Sequence, residues 1–122
     1  MLEVVSSDRP VSSDPLVSSD PSPDGPISIY VASPEGETGK STIALGIVHR
    51  LAAMVPRVGV FRPIARRENT DYILELLLAS STAGLAYDDC VGVSYQRLHS
   101  DTDAAIADIV DRYHAVAARC DA

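Results

Sequence analysis

Tryptophan is absent, phenylalanine occurs once as Phe61, and lysine occurs once as Lys40. With five tyrosines completing the aromatic set, a platform for stacking nucleic-acid bases is excluded. The ten basic residues, nine of them arginine, face seventeen acidic ones, for a net charge of -7. Such a chain has no electrostatic footprint for DNA or RNA. The two cysteines, Cys90 and Cys120, have neither C-x-x-C spacing nor a histidine cluster beside them. That disfavours a zinc or redox centre and a disulfide framework. The richest apolar stretch, residues 73–78, is interrupted by Glu75 and falls far short of the ~18 residues a bilayer requires. The N-terminus lacks a basic segment followed by an apolar one, as an export signal needs, so the expectation is a cytoplasmic protein without membrane contact. A length of 122 residues suits one domain.

The first part of the chain repeats with period six: Val5-Ser-Ser-Asp-Arg-Pro, Val11-Ser-Ser-Asp-Pro-Leu and Val17-Ser-Ser-Asp-Pro-Ser. Each copy sets one valine against several polar residues and carries a proline that blocks ladder hydrogen bonds, so no β-solenoid core can form. Residues 1–25 hold five acids against Arg9, which places most of the net charge there. The expectation is a disordered, solvated leader over 1–25; its Ser-Ser-Asp runs also suit acidophilic kinases.

A folded part is expected over 26–122. Ile27, Ile29 and Val31 on one side, with Tyr30 and Ala32 on the other, read as a parallel strand buried on both faces. After the turn-rich residues 33–39, apolar residues at Ile43, Ile47, Leu51 and Met54 predict a helix from Lys40 to about Val55, stopped by Pro56. Residues 58–61 read as a second buried strand ending at Arg62-Pro63, completing a βαβ unit. A helix capped by Asn69 or Thr70 and bearing Ile73, Leu76 and Leu77 follows, then a short strand at 91–95. Ser100-Asp-Thr-Asp103 has capping-box spacing, and Ile106, Ile109, Val110, Tyr113, Val116 and Ala117 form an amphipathic stripe to about Arg119. The alternation then reaches a helix where the next parallel strand is due, which reads as a partial α/β domain truncated at its C-terminus.

One constellation carries chemistry. Ser33-Pro-Glu-Gly36-Glu-Thr38-Gly39-Lys40-Ser41-Thr42 lies between a buried strand and a helix, the setting of a phosphate-cradling loop. Backbone N–H groups and the helix N-terminus favour an anion, Lys40 can reach a phosphate oxygen, and Ser41 or Thr42 can ligate Mg²⁺. Gly36, Thr38, Gly39, Lys40, Ser41 and Thr42 are therefore candidate nucleotide or phosphate ligands, with Ser41 a candidate for the metal. The spacing departs from G-x-x-x-x-G-K-[ST], because Pro34 stands where the first glycine belongs and Glu35 and Glu37 add negative charge. Arg62, Arg66 and Arg67 lie after the second strand, near the edge where ligands of parallel sheets sit. Arg62 either joins the phosphate site or pairs with a nearby acid such as Asp71 or Glu68. His49, His99 and His114 are widely spaced and need no ligand role. Asp88-Asp89 reads as an acidic turn and Cys120 as an apolar filler. No acidic residue ends another hydrophobic strand to hold Mg²⁺ and orient water, so no catalytic residue is assigned.

Residues 29–42, 58–65, 71–77 and 101–110 together resemble the N-terminal region of the long, multidomain form of bacterial phosphate acetyltransferase, particularly the actinobacterial kind. The similarity spans about residues 27–122. It implies an incomplete three-layer parallel-sheet P-loop fold like that of dethiobiotin synthetase. It further implies a regulatory or assembly role in an enzyme that interconverts acetyl-CoA plus phosphate with acetyl phosphate plus CoA. The acetyl-transfer domain would lie outside this chain, and the expected partners are the rest of that chain and further copies of it. CoA and phosphate would be substrates of the parent enzyme, with Mg·ATP, another nucleotide or a metabolite as effector. Dethiobiotin synthetases carry Lys-Pro after the second strand, and Arg62-Pro63 stands in its place, which argues against synthetase activity. The alternative expectation is a freestanding ATP-dependent ligase of that type or another nucleotide-binding protein.

Overall fold

The computed structural model describes residues 25–35, 39–66 and 70–122, and the backbone of residues 2–4. Its elements are β1 (Leu2–Val4), β2 (Ile29–Val31), α1 (Lys40–Ala52), β3 (Val60–Ala65), α2 (Tyr72–Ser80), a 3-10 turn (Tyr87–Cys90), β4 (Val91–Ser94), α3 (Tyr95–Ser100) and α4 (Thr102–Ala117). The strands form one sheet in the order β2-β1-β3-β4. The fold is mixed α/β.

Among the described strands, only β3 and β4 pair in parallel, with Arg62 opposite Val91 and Ile64 opposite Val93. Strand β1 runs antiparallel to both neighbours, with Glu3 opposite Tyr30 on one side and opposite Phe61 on the other. The sheet is thus not wholly parallel as expected. The difference comes from Leu2–Val4, which the sequence placed in the leader; residues 5–24 of that leader lie outside the described residues. Because β2 and β3 oppose the same strand, they point the same way and share a carboxyl edge.

Successive residues of a strand face opposite sides of a sheet. Val60 packs in a cluster with Val58, Ala44, Val48, Leu74, Leu77 and Cys90, placing α1 and α2 on one face. Phe61 packs with Val116 and Cys120 on the other, beneath α4. Its ring meets Tyr113 edge-on at 5.8 Å, and the Tyr113 hydroxyl bonds that of Ser28 at 2.6 Å, tying α4 to the segment leading into β2. These two clusters are the core, one on each side of the sheet.

Local chemistry explains where element boundaries differ from expectation. Strand β3 continues through Arg62 and Pro63 to Ala65, because β4 supplies a partner that local sequence does not reveal. Helix α1 turns Ala44 and Val48 to the core and leaves Ile43 59% and Met54 65% exposed. Apolar residues surround much of this helix, and Leu45, Ile47 and Leu51 pack against the same cluster. Helix α2 is capped by Asp71, whose Oδ1 accepts from the amides of Ile73 and Leu74 at 3.0 and 3.2 Å. Thr70 lies ahead of the helix, and Asn69 lies outside the described residues. Asp101 caps α4 by accepting from Ala104 N at 3.2 Å, in place of Ser100. Ser100 ends α3 instead, a helix with Leu98 as its one aliphatic residue and so without periodicity to announce it.

Candidate functional site

The loop that follows β2 turns at once. Ser33 Oγ accepts from Glu35 N at 3.2 Å and donates to Glu35 O at 2.8 Å. Gly36 and Thr38 lie outside the described residues, as does Glu37. The loop enters α1 through Gly39, whose φ of 79° is left-handed. A Cβ there would meet no atom within 4 Å, so the demand for glycine is conformational rather than steric. The Gly39 carbonyl accepts from Ile43 N at 3.1 Å, closing the first turn.

Lys40 is the first residue of α1 and, like Ser41, is half-buried, while Thr42 is exposed. Among the described residues no side chain caps this helix, and its first turn holds no acidic residue. The amides there keep their positive potential for an anion from outside. Ser41 offers one hydroxyl, so a Mg²⁺ ion held there would take its other oxygens from phosphate and water.

Arg62 does not join this group. It lies inside β3, and its Nη1 meets Asp71 Oδ2 at 2.8 Å, with both side chains 15% exposed. Its Nε is buried without a hydrogen-bond partner. Asp71 is held in turn by its amide, which donates to the Tyr87 hydroxyl. The guanidinium therefore fixes the start of α2. Arg66 is exposed just past β3, on the edge shared with the loop, and Arg67 lies outside the described residues.

The remaining candidates are scattered. His49, His99 and His114 are exposed on three different helices, with His99 against the Tyr95 ring at 4.4 Å. Among the described residues, no group of three His, Cys, Asp or Glu side chains could hold a metal ion. Asp89 accepts from Ala86 N at 3.2 Å and from Arg119 at 3.1 Å, which makes its stretch a braced turn. Cys90 and Cys120 are both buried and unpaired. Burial, reinforced by Asp89, pushes the Cys90 thiol up to about 12, and burial also raises that of Cys120. Neither is a nucleophile at neutral pH.

Sequence reading missed a groove of about 180 Å³ between the 3-10 turn and α4, lined by Asp88, Asp89, Arg112, Ala115, Val116 and Arg119. Arg112 spends its donors on the carbonyls of Asp88 and Val91, and Arg119 on Asp89 and Gly84 O. Of its charged side chains, Arg119 and Asp89 pair with each other. The residues come from two segments more than twenty positions apart, so no local pattern could announce it.

Over 72 residues, 57% of this chain, the sequence is 32% identical to the phosphate acetyltransferase of Nitratidesulfovibrio vulgaris. The chain spans about a tenth of that relative's length, the match covering 10% of it. No protein-family model matches the chain. No solved structure matches it. On these comparisons, the chain is similar over part of its length to a phosphate acetyltransferase.

Proposed function

We propose that this chain is the N-terminal regulatory or structural portion of a phosphate acetyltransferase. The chemistry that joins acetyl-CoA and phosphate to give acetyl phosphate and CoA would be carried by residues outside it. The observation that carries the reading is the 72-residue similarity, which falls within one small part of a much longer enzyme. On this reading Gly36, Thr38, Gly39, Lys40, Ser41 and Thr42 form an effector site for a nucleotide or another phosphate-bearing metabolite. Lys40 supplies the charge, the α1 amides the hydrogen bonds, and Ser41 one oxygen for Mg²⁺.

The test begins with the reading frame that encodes this chain. An acetyltransferase-coding region in frame with it supports the reading, and its absence from the intact gene overturns it. The chain by itself should form no acetyl phosphate from acetyl-CoA and phosphate.

An ATP-dependent ligase of the dethiobiotin synthetase type is the second reading, favoured by left-handed Gly39 placed directly before Lys40 at an uncapped helix start. The engagement of Arg62 with Asp71 counts against it, because the side chain at that position is already committed. Titration calorimetry with Mg·ATP separates the two ideas. A ligase binds at micromolar concentrations and loses that binding in Lys40→Ala, together with ATP turnover; an effector site loses binding with no turnover to lose.

A further inference from the structure

The two arginines of the groove between the 3-10 turn and α4 are engaged differently. Arg119 meets Asp89 at 3.1 Å through Nη1 and donates to Gly84 O at 3.1 Å through Nη2, so both of its terminal nitrogens are occupied. Arg112 stands about two helical turns away. Its bonds to the carbonyls of Asp88 and Val91, at 3.4 and 3.2 Å, are both made by Nη1. Among the described residues, its Nε and Nη2 have no partner. Those two nitrogens form the side-on fork of a guanidinium, which matches the two oxygens of a carboxylate. The carbonyls therefore orient the group and leave its recognition edge unused.

Asp88 supplies the opposite charge. Its carbonyl touches Arg112 Nη1, which places its side chain within one residue's length of the guanidinium. Yet among the described residues neither Asp88 nor Arg112 takes part in an ion pair. A ligand with one charge of each sign satisfies both groups together. A phosphate dianion would meet the Asp88 and Asp89 carboxylates, and a simple cation would meet Arg112.

The floor between the charged groups is Ala115 and Val116, small enough to take a short aliphatic side chain. The space of about 180 Å³ equals roughly six water molecules at about 30 Å³ each. It falls below the ~300 Å³ at which pockets for drug-sized ligands begin, and so excludes a nucleotide or CoA. A small amino acid has the right size.

We propose that this groove binds a free α-amino acid with a small aliphatic side chain. Its carboxylate lies on Nε and Nη2 of Arg112, its ammonium on the Asp88 carboxylate, and its side chain against Ala115 and Val116. The groove borders β4 and the loop before α1 follows β2, the two outer strands of the sheet, so this site is separate from the phosphate-loop candidate. The proposal does not rest on the acetyltransferase reading.

The test is a ¹H–¹⁵N chemical-shift titration of the full 122-residue chain with L-valine. Saturable shifts centred on residues 84–91 and 112–119 are expected, with a Kd of about 1 mM. L-valine methyl ester lacks the carboxylate and N-acetyl-L-valine lacks the ammonium; each should bind at least about tenfold more weakly. The same loss is expected for L-valine with Arg112→Gln and with Asp88→Asn, whose side chains are exposed and whose thermal melts should match that of the parent chain. Arg112→Lys keeps the charge without the fork and should recover only part of the affinity. No saturable shift below about 50 mM, equal binding of L-valine and either analogue, or full affinity in Arg112→Gln or Asp88→Asn overturns the proposal. The analogues are read on the unaltered chain, so the comparison holds even for a variant that fails to fold. Each of these results leaves the acetyltransferase reading to its own test, the reading frame.

Discussion

Asp71 holds Arg62 at 2.8 Å with one carboxylate oxygen and the first turn of α2 with the other. A single side chain thus joins the middle of β3 to the start of the helix that follows it. Removing it strips the helix cap and leaves a guanidinium that is largely buried without a counter-charge.

Asp71→Ala should therefore destabilise the fold by about 3 kcal/mol, measured by urea unfolding. Asp71→Asn keeps a capping oxygen and should cost about 1 kcal/mol less. Equal losses in the two variants would mean that the cap contributes nothing.

Two glycines make contrasting predictions. A Cβ at Gly59 would collide with Cys120 Sγ and approach Leu85 Cδ1 at 2.9 Å, both of them side-chain atoms. At Gly92 the collision is with the carbonyl oxygen of Pro63, on the backbone of the neighbouring strand. Gly59→Ala should cost about 2 kcal/mol and Gly92→Ala about 3 kcal/mol by the same measurement. Adding Cys120→Ala should recover part of the first loss and none of the second, a coupling that a double-mutant cycle reads directly.

The sequence made β2, α1, α2, β4 and α4 legible, because each carries either a strand-length apolar run or a helical stripe bounded by a capping or breaking residue. It did not reveal that Leu2–Val4 enters the sheet. A three-residue strand has no periodicity, and the Ser-Asp-Pro repeats beside it dominate any reading of that region. The extension of β3 through Pro63 was hidden for a related reason. Proline argues against a strand unless its missing N–H falls where no ladder bond is needed, and that depends on where β4 lies. At the candidate site, the turn ending at Gly39 and the helix start at Lys40 are legible from the sequence. The sequence leaves open whether Arg62 joins them or pairs with an acid, and the approach of α2 to β3 decides for Asp71.

Acid pH tests the clamp between Arg57, ahead of β3, and Asp121, past the end of α4. The hydrogen bond from Arg57 holds the Asp121 carboxyl below the usual carboxylate range. A carboxyl with a depressed native pKa stabilises the fold above its unfolded value of about 4 and loses that contribution as pH falls through the native value. Thermal melts between about pH 2 and 5 should show a loss of Tm that shrinks in Arg57→Ala. Because the pair is largely exposed, with side chains 55% and 31% accessible, salt at about 1 M should shrink it as well.

Alkaline pH tests the core from the opposite direction. Burial, with a smaller push from Asp89, raises the Cys90 thiol to about 12. The unfolded chain ionises the same thiol near 8.5, so folding favours the protonated form. Stability from this source is complete below about pH 8.5 and is lost progressively as pH climbs towards 12. Cys90→Ala should flatten the decline in part, and the remainder should track Cys120, whose thiol burial also raises. The same protonation shields the sulfur from electrophiles, since the thiolate is the reactive species. Iodoacetamide at pH 8 should label native Cys90 at least about 100-fold more slowly than in urea, with mass spectrometry reading the site. Labelling at the unfolded rate would mean that Cys90 is not sealed beneath α2 and the turn that carries it.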